Sequence, residues 1–315
     1  MNPGSRGGLS RKSFKTIFSL LDEAKIPYHY QITSSLQDAY EFSVSANQNS
    51  TKTIIAVGGD GTINQVINGF YDEQGQKYSD SRLGIIYTGT SPDFCKSYNI
   101  PANIYKAIAV IKKDKLRKIQ LGKIQISAKN LKSVNGKDLT FSQNTITRVF
   151  GCCANIGLGA MLARQANSGI RKYLGDFTGS FLSLLNTLVK YNPGDFTIIK
   201  DGEKFTAKNI YNLSIGRTKY IASGIKVSNK LEDGDGKLYC LQVSNLGVFN
   251  TPALIKKIYS GKSFSNNNYL SLSYCQSIEI YGNYNNPDVE FDGDPRGFLP
   301  CRIEVAPDSL EVFVD

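Results

Sequence analysis

A single histidine, His29, stands among 315 residues, alternating with Tyr28 and Tyr30 in a run that reads as a strand. That setting suits a structural residue, which argues against histidine-dependent triads and leaves carboxylates as candidate general bases. The six cysteines, Cys95, Cys152, Cys153, Cys240, Cys275 and Cys301, show no C-x-x-C spacing, and no secretory signal accompanies them. We read from this a reducing cytoplasm and no zinc. Acidic residues are fewer than basic ones, 27 against 37, which gives a net charge of +10. The excess points to an anionic partner, a membrane surface or a nucleic acid, and carries no information on fold. No apolar run spans a bilayer: residues 181–189, the most apolar long segment, are too few and are broken by Asn186. Internal repeats and low-complexity tails are also lacking. With 41% hydrophobic and 20% charged residues the chain is an ordinary globular one, long enough for two domains.

The most informative stretch is residues 53–70, which reads as a buried strand, a glycine-rich turn and a helix. Thr53 to Val57 is rich in β-branched residues and bounded by glycine, as in a strand covered on both faces. Helical spacing then takes over: Ile63, Val66, Ile67 and Phe70 form one apolar stripe, while Asn64 and Asn68 share another face. Between the two elements Gly58, Gly59 and Gly61 permit positive φ and close backbone approach, and Thr62 is placed to cap the helix. Exposed N–H groups and the positive end of the helix dipole favour a phosphate there, and Asp60 is placed to hold an accompanying Mg²⁺. An ordinary glycine turn with a solvated Asp60 is the structural alternative. A second small-residue turn, Thr88-Gly-Thr-Ser-Pro-Asp-Phe94, follows the strand-like residues 83–87. Ligands of open α/β sheets bind outside the carboxyl ends of the strands, so Asp60 and Asp93 are expected to converge.

At these residues the sequence resembles the diacylglycerol kinase catalytic-domain family, which includes soluble bacterial lipid kinases, sphingosine kinases and ceramide kinases. Gly-Gly-Asp-Gly-Thr alone is also found in NAD kinases, but Asn64-Gln-Val-Ile-Asn-Gly69 is similar to the lipid-kinase continuation. Gly89-Thr-Ser-Pro-Asp-Phe94 with Ile100-Pro101 resembles the family's second motif, with Pro92 in place of the usual asparagine. Asn2-Pro-Gly-Ser-Arg-Gly-Gly8 resembles the opening nucleotide loop, here preceded only by Met1 where a strand is normal. The resemblance implies an ATP site formed by Asn2, Pro3, Ser5, Gly58, Gly59, Gly61, Thr62, Asn64, Gly89, Thr90 and Asp93, with Thr62 and Asn64 serving the helix start and the ribose–phosphate contacts. It implies phosphoryl transfer from ATP to a lipid hydroxyl with Mg²⁺. The protein would then work in the cytoplasm with peripheral attachment to an anionic membrane, without a stable nucleic-acid partner, and a homodimer is compatible with it. Two other readings stay open: an NAD-kinase-like enzyme acting on a soluble dinucleotide, and a catalytically impaired nucleotide- or anion-binding relative.

Along the chain, helix patterns at residues 10–25, 35–47 and 102–111 alternate with strand patterns at 28–32, 53–57 and 83–87. This predicts a nucleotide-binding α/β domain with a parallel sheet over residues 1–113. A basic stretch follows from Lys106 to Lys132, either the wet face of a sheet or a patch for an anionic membrane. Strand patterns at 145–149, 196–199, 209–214, 237–243, 270–281, 302–305 and 310–314, with helices at 177–191 and 252–259, predict a larger β-rich antiparallel sandwich over residues 114–315. The last strand is free to return to the first domain.

Two turns of this second domain carry carboxylates. Glu232-Asp-Gly-Asp-Gly-Lys-Leu238 is either a hairpin turn or an oxygen-rich cation site, and the resemblance selects Glu232 and Asp235 as metal ligands. Phe291-Asp-Gly-Asp-Pro-Arg-Gly-Phe298 lies where the family carries Asp-Gly-Glu, so the resemblance makes Asp294 the general base, one methylene shorter than the usual glutamate. Arg296 is placed to offset phosphate charge. Asp60 is the second catalytic candidate.

Overall fold

The computed structural model describes residues 1–128, 145–167, 191–221, 225–246, 266–282 and 288–315, without the side chains of residues 164–167, 288, 294 and 295. Its first sheet starts from β1 (Thr53–Gly58) and β2 (Arg82–Tyr87), which run parallel from Thr53 opposite Arg82 to Gly58 opposite Tyr87. Strand alternation divides their side chains between two covered faces. Ala56, Leu83 and Ile85 pack with Ala39 of α2 (Leu36–Gln48) and with Ile63 and Ile67 of α3 (Asp60–Asn68). Val57 and Ile86 pack on the opposite face with Ile17 and Leu21 of α1 (Phe14–Glu23) and Ile108 and Ile111 of α5 (Ile104–Lys113). Two later strands complete the sheet: β16 (Leu310–Phe313) lies between β2 and β3 (Leu116–Ile119), parallel to the former and antiparallel to the latter.

The second domain is antiparallel. It contains β4 (Gly122–Ser127), β5 (Thr145–Phe150), β6 (Cys153–Gly157), β7 (Gly194–Lys200), β8 (Glu203–Gly216), β11 (Leu238–Ser244), β12 (Leu270–Cys275), β13 (Ser277–Gly282), β14 (Asp288–Phe291) and β15 (Asp294–Val305). The order is β12-β11-β8-β6-β14-β15-β13-β7, and β7 also pairs with β8. The strands from β8 round to β7 therefore close on themselves around a core that includes Ile156, Phe196, Leu213, Ile280 and Phe291. Closure leaves no free edge within that ring. β9 (Tyr220–Ile221) and β10 (Ile225–Lys226) form a separate hairpin, α4 (Asp93–Ser97) follows the second turn of the first domain, and α6 (Leu158–Asn167) follows β6. An α/β domain with a parallel sheet joined to a larger antiparallel β-rich domain is thus what folds.

Several local expectations give way to tertiary contacts. The helix expected over residues 10–25 begins as a 3-10 turn, Leu9–Ser13, in which buried Ser10 shares a hydrogen bond with Thr88 Oγ1 at 2.7 Å. Residues 28–32 form no assigned strand. Met1 serves that segment, its N-terminal nitrogen donating to Gln31 O and its own carbonyl accepting from Thr33 N. The run at 270–281 is two strands rather than one, because Gln276 and Ser277 turn their N–H groups to Asp201 Oδ1 at 2.8 and 2.9 Å. The helices expected at 177–191 and 252–259, and Lys129 and Lys132 of the basic stretch, lie outside the described residues. The rest of that stretch is spread over α5, β3 and β4. Lys112 and Lys113 sit in the last turn of α5, where their charge complements the negative end of the helix dipole. Arg117 pairs with Asp233 and Lys123 with Glu304, each at 2.6 Å.

His29 is exposed, and all six cysteines are buried free thiols. Among the described residues no helix is long and apolar enough to cross a membrane.

Candidate active site

The glycine turn after β1 is built by close approach rather than by unusual dihedrals. None of Gly58, Gly59 and Gly61 has positive φ, contrary to the expectation from sequence. A Cβ on Gly58 would sit 2.5 Å from the Thr62 side chain, and one on Gly89 would sit 2.6 Å from Gly59 Cα. The two turns at the strand ends therefore touch backbone to backbone, which only glycine allows. Helix α3 begins at Asp60 with Gly59 as its N-cap, so Thr62 lies inside the first turn and is no cap. Its hydroxyl instead accepts from the Asn2 side-chain amide at 2.8 Å, while the Asn2 backbone N–H donates to Val57 O at 2.8 Å.

The opening loop is thereby fixed over the turn. Ser5 follows Pro3 and donates to Thr88 O at 3.4 Å. Beside it opens a cleft of about 500 Å³, lined among others by Arg6, Ser10, Gly89, Thr90, Pro92 and Tyr105. Pro92, the departure noted in the second motif, forms part of this wall and is the N-cap of α4.

Asp60 and Asp93, in the first turns of α3 and α4, are brought together, and a third carboxylate from the far end of the chain joins them. Burial, then the neighbouring charges of Asp93 and Asp292, push the Asp60 carboxyl up to about 8, although the Asp93 and Phe94 amides oppose the shift. Its Oδ1 is buried and has no hydrogen-bond partner.

Asp292 is the residue that sequence reasoning passed over. It sits at φ 52 with Gly293 at φ 91, at the tight turn between β14 and β15. Its carboxylate accepts from Gly151 N, Cys152 N and Asn64 Nδ2, all at 2.7 Å. Burial pushes this carboxyl up as well, against the pull of those three donors.

Asn64, expected at the ribose and phosphates, is 2% exposed and turned to the second domain, where it also donates to Val149 O at 3.1 Å. Asn68 doubles the link: it donates to Val149 O at 2.8 Å and accepts from Val149 N at 2.9 Å. The polar face of α3 is thus hydrogen-bonded like an extra strand to β5. Gln65 of the same helix, with its amide turned to place oxygen outward, accepts from Arg296 Nη1 at 2.6 Å. Glu290 accepts from Gly293 N at 2.5 Å and from Asn155 Nδ2 at 2.6 Å, which fixes the loop from its other side. Asp294, the expected base, is the first residue of β15, and its side chain lies outside the described set.

At the turn 232–235, where a cation site is expected, Asp235 is held by donors of the protein itself. Asp235 accepts from Arg217 Nη1 at 2.9 Å and from the N–H groups of Glu232 and Lys237, each at 3.0 Å. Burial raises its carboxyl, but those amides and the guanidinium outweigh it and leave the carboxyl below its usual range. Arg217 also donates to Glu232 O at 2.8 Å and to Lys237 O, so the positive charge facing Asp235 within the protein is a guanidinium. Glu232 contributes its backbone, with the side chain exposed. We expect chelators to leave the melting temperature unchanged. Arg217→Ala should lower stability by about 2 kcal/mol, because it strands a partly buried carboxylate. Calorimetry with and without chelator checks both outcomes.

Two glycine turns in contact, buried carboxylates beside them and a neighbouring cleft are the parts that a phosphotransferase would need. Two family models cover the chain: the diacylglycerol kinase catalytic domain over residues 1–124, and the YegS C-terminal NAD kinase beta sandwich-like domain over residues 152–314. The chain belongs to the diacylglycerol kinase family that joins these two domains. It is 24% identical to a diacylglycerol kinase of Staphylococcus saprophyticus over 99% of this chain and 93% of that protein, and 23% identical to one of Staphylococcus carnosus over 99% and 92%. Among solved structures, a diacylglycerol kinase from Bacillus anthracis superposes with a TM-score of 0.68 at 21% identity, over 100% of this chain and 94% of that one. A yeast NADH kinase bound to NADH is more distant, with a TM-score of 0.52 at 11% identity over 97% and 80%. These structural likenesses speak to the fold.

Proposed function

We propose that the chain is an ATP-dependent lipid kinase that transfers the γ-phosphoryl group to a lipid hydroxyl with Mg²⁺. The observation that carries this reading is Asp60: a carboxylate at a helix start, with one oxygen buried and unpartnered, its carboxyl pushed up to about 8 beside a glycine turn. Such a group gains from a nearby cation. Among the described residues no three His, Cys, Asp or Glu side chains converge closely enough to hold a metal by themselves. That suits Mg²⁺, which is commonly held by one or two carboxylates together with substrate phosphates. Asp60 would hold it, and when bound it supplies charge neutralisation for the phosphates.

The other roles follow from placement. Thr88, Gly89 and Thr90 line the cleft where the nucleotide fits, and the turn at 58–61 packs against them through Gly59 and Gly89, with Asn2 and Ser5 bonded to Thr62 and Thr88. Arg296, held by Gln65, lies near Asp292 and adds positive charge where negative charge develops. Asp294 follows the turn that Asp292 and Glu290 immobilise, and in this reading it accepts the hydroxyl proton.

Labelled-ATP turnover against a panel of lipid alcohols in anionic vesicles, with mass spectrometry of the product, tests the reading; a soluble dinucleotide serves as the competing acceptor. Asp294→Asn should lower turnover at least a hundredfold, since an amide is no base, while Asp294→Glu should preserve or raise it. An Asp294→Asn variant as fast as the parent at saturation would move the base to Asp60.

A further inference from the structure

A second groove, of about 750 Å³, lies at the opposite end of α4 from the cleft beside the opening loop and shares no lining residue with it. Its walls come from the end of α4, β3, the β9–β10 hairpin and the 232–235 turn. The charges around it sort into pairs and a remainder. Arg117 is matched by Asp233 at 2.6 Å, and Arg217, with a side chain only 6% exposed, is matched by Asp235 at 2.9 Å. Lys96, Lys219 and Lys226 also line the groove, and none of them has a carboxylate partner among the described residues. Lys96 is steered by the Tyr220 ring, 5.9 Å from its centroid, and Glu232 is the one lining carboxylate outside the two pairs. Three cations against one anion leave a net charge of +2.

A dianion of modest size matches the charge of this groove. A phosphate monoester carries about −1.5 to −2 at neutral pH and offers three acceptor oxygens. Ser228 adds a hydroxyl donor on the same wall, while Tyr220 and Leu231 give the ester's carbon skeleton an apolar surface. We propose that this groove is a binding site for a dianionic phosphomonoester, separate from the nucleotide cleft. The floor of the groove is tied to the carboxylate cluster. Thr218 donates to Cys152 O at 3.1 Å, and Cys152 N donates to Asp292 at 2.7 Å. A ligand that shifts the segment between Arg217 and Tyr220 therefore acts on Cys152, the residue whose N–H supports Asp292.

The phosphomonoester can come from a free metabolite or from a lipid headgroup, and the two arms of one experiment separate them. In the first, titration calorimetry measures inorganic phosphate and glycerol 3-phosphate. In the second, flotation measures attachment to phosphatidylcholine vesicles with and without phosphatidic acid. Both use the full chain, the double variant Lys219→Ala/Lys226→Ala, and Lys208→Ala as an exposed control from β8. Removing two lysines should weaken binding about thirtyfold, and the control should not change it. Loss confined to the first arm assigns a free ligand, and loss confined to the second assigns a headgroup. A double variant that binds like the parent in both arms, or a parent that binds in neither, overturns the proposal. Neither arm reads turnover, so failure here leaves the kinase reading standing, and the reverse holds as well.

Discussion

Replacing Asp60 with asparagine should abolish phosphoryl transfer and, at pH 8, raise the melting temperature. The two effects have one cause. In the folded protein burial and the charges of Asp93 and Asp292 push the Asp60 carboxyl up to about 8, against 3.8 for a free aspartate. Between those two pH values the unfolded chain releases the proton and the folded chain retains it. The unfolded state therefore binds fewer protons, and stability falls as pH rises through this window. Above it the penalty is complete and constant. A shift of this size sets an upper limit of about 6 kcal/mol, and the partial exposure of Asp60 reduces the expected gain to about 2 kcal/mol.

Thermal scans at pH 5 and pH 8 check the sign. Parent and Asp60→Asn should melt close together at the lower pH, and the variant should be several degrees higher at the upper. Turnover should drop by at least a hundredfold in the same variant, because a neutral amide is a poor ligand for the cation that would neutralise the phosphates. A variant that melts lower than the parent at pH 8 would mean that the Asp60 carboxylate is stabilised where it sits. A site residue whose removal strengthens the fold is the pattern expected when electrostatic strain is retained for function.

The second large effect is expected at Asp292. Truncation to alanine would leave the N–H groups of Gly151 and Cys152 and the amide of Asn64 without their acceptor, all in a buried setting. An unsatisfied buried donor costs about 1–3 kcal/mol, and relief of the repulsion with Asp60 offsets part of the sum, so we expect a loss of about 4 kcal/mol. Asp292→Asn keeps one acceptor oxygen and should lose about half as much.

Urea denaturation measures both variants. A double-mutant cycle with Asn64→Ala isolates the bond between the domains, and coupling of at least about 1 kcal/mol is expected. Additive losses would show that Asp292 supports only its own loop. Activity should fall in Asp292→Ala even under conditions where the protein remains folded, since the loop leading to Asp294 loses its anchor.

How far the sequence could be read is clearest at these two aspartates. Asp60 was legible because its signal is local: a β-branched run, glycines and an apolar stripe at helical spacing lie within eighteen residues of chain. The contact of Asn64 with Asp292 joins residues 228 positions apart, and nothing in the local pattern of either announces the other. Asp292 had one faint mark, a carboxylate directly before a glycine, which suits the positive φ it adopts. The shared polar face of Asn64 and Asn68 was also visible. That it would bond to β5 rather than to a nucleotide depended on which surface the second domain presented.

The same physical division holds across the molecule. Periodicity, glycine placement and helix capping determined by themselves that a parallel α/β domain precedes a β-rich one, as in the capping box of Ser35 and Asp38 at the start of α2. These are interactions between near neighbours, and a residue's chemistry together with its spacing is enough to specify them. Only the tertiary structure decided that β16 returns to the first sheet, that Arg217 pairs with Asp235, and that Asp292 closes the carboxylate cluster. In each of these the partner comes from a distant segment, and burial sets the charge balance. Burial is a property of the assembled surfaces and is not carried by any stretch of the chain alone.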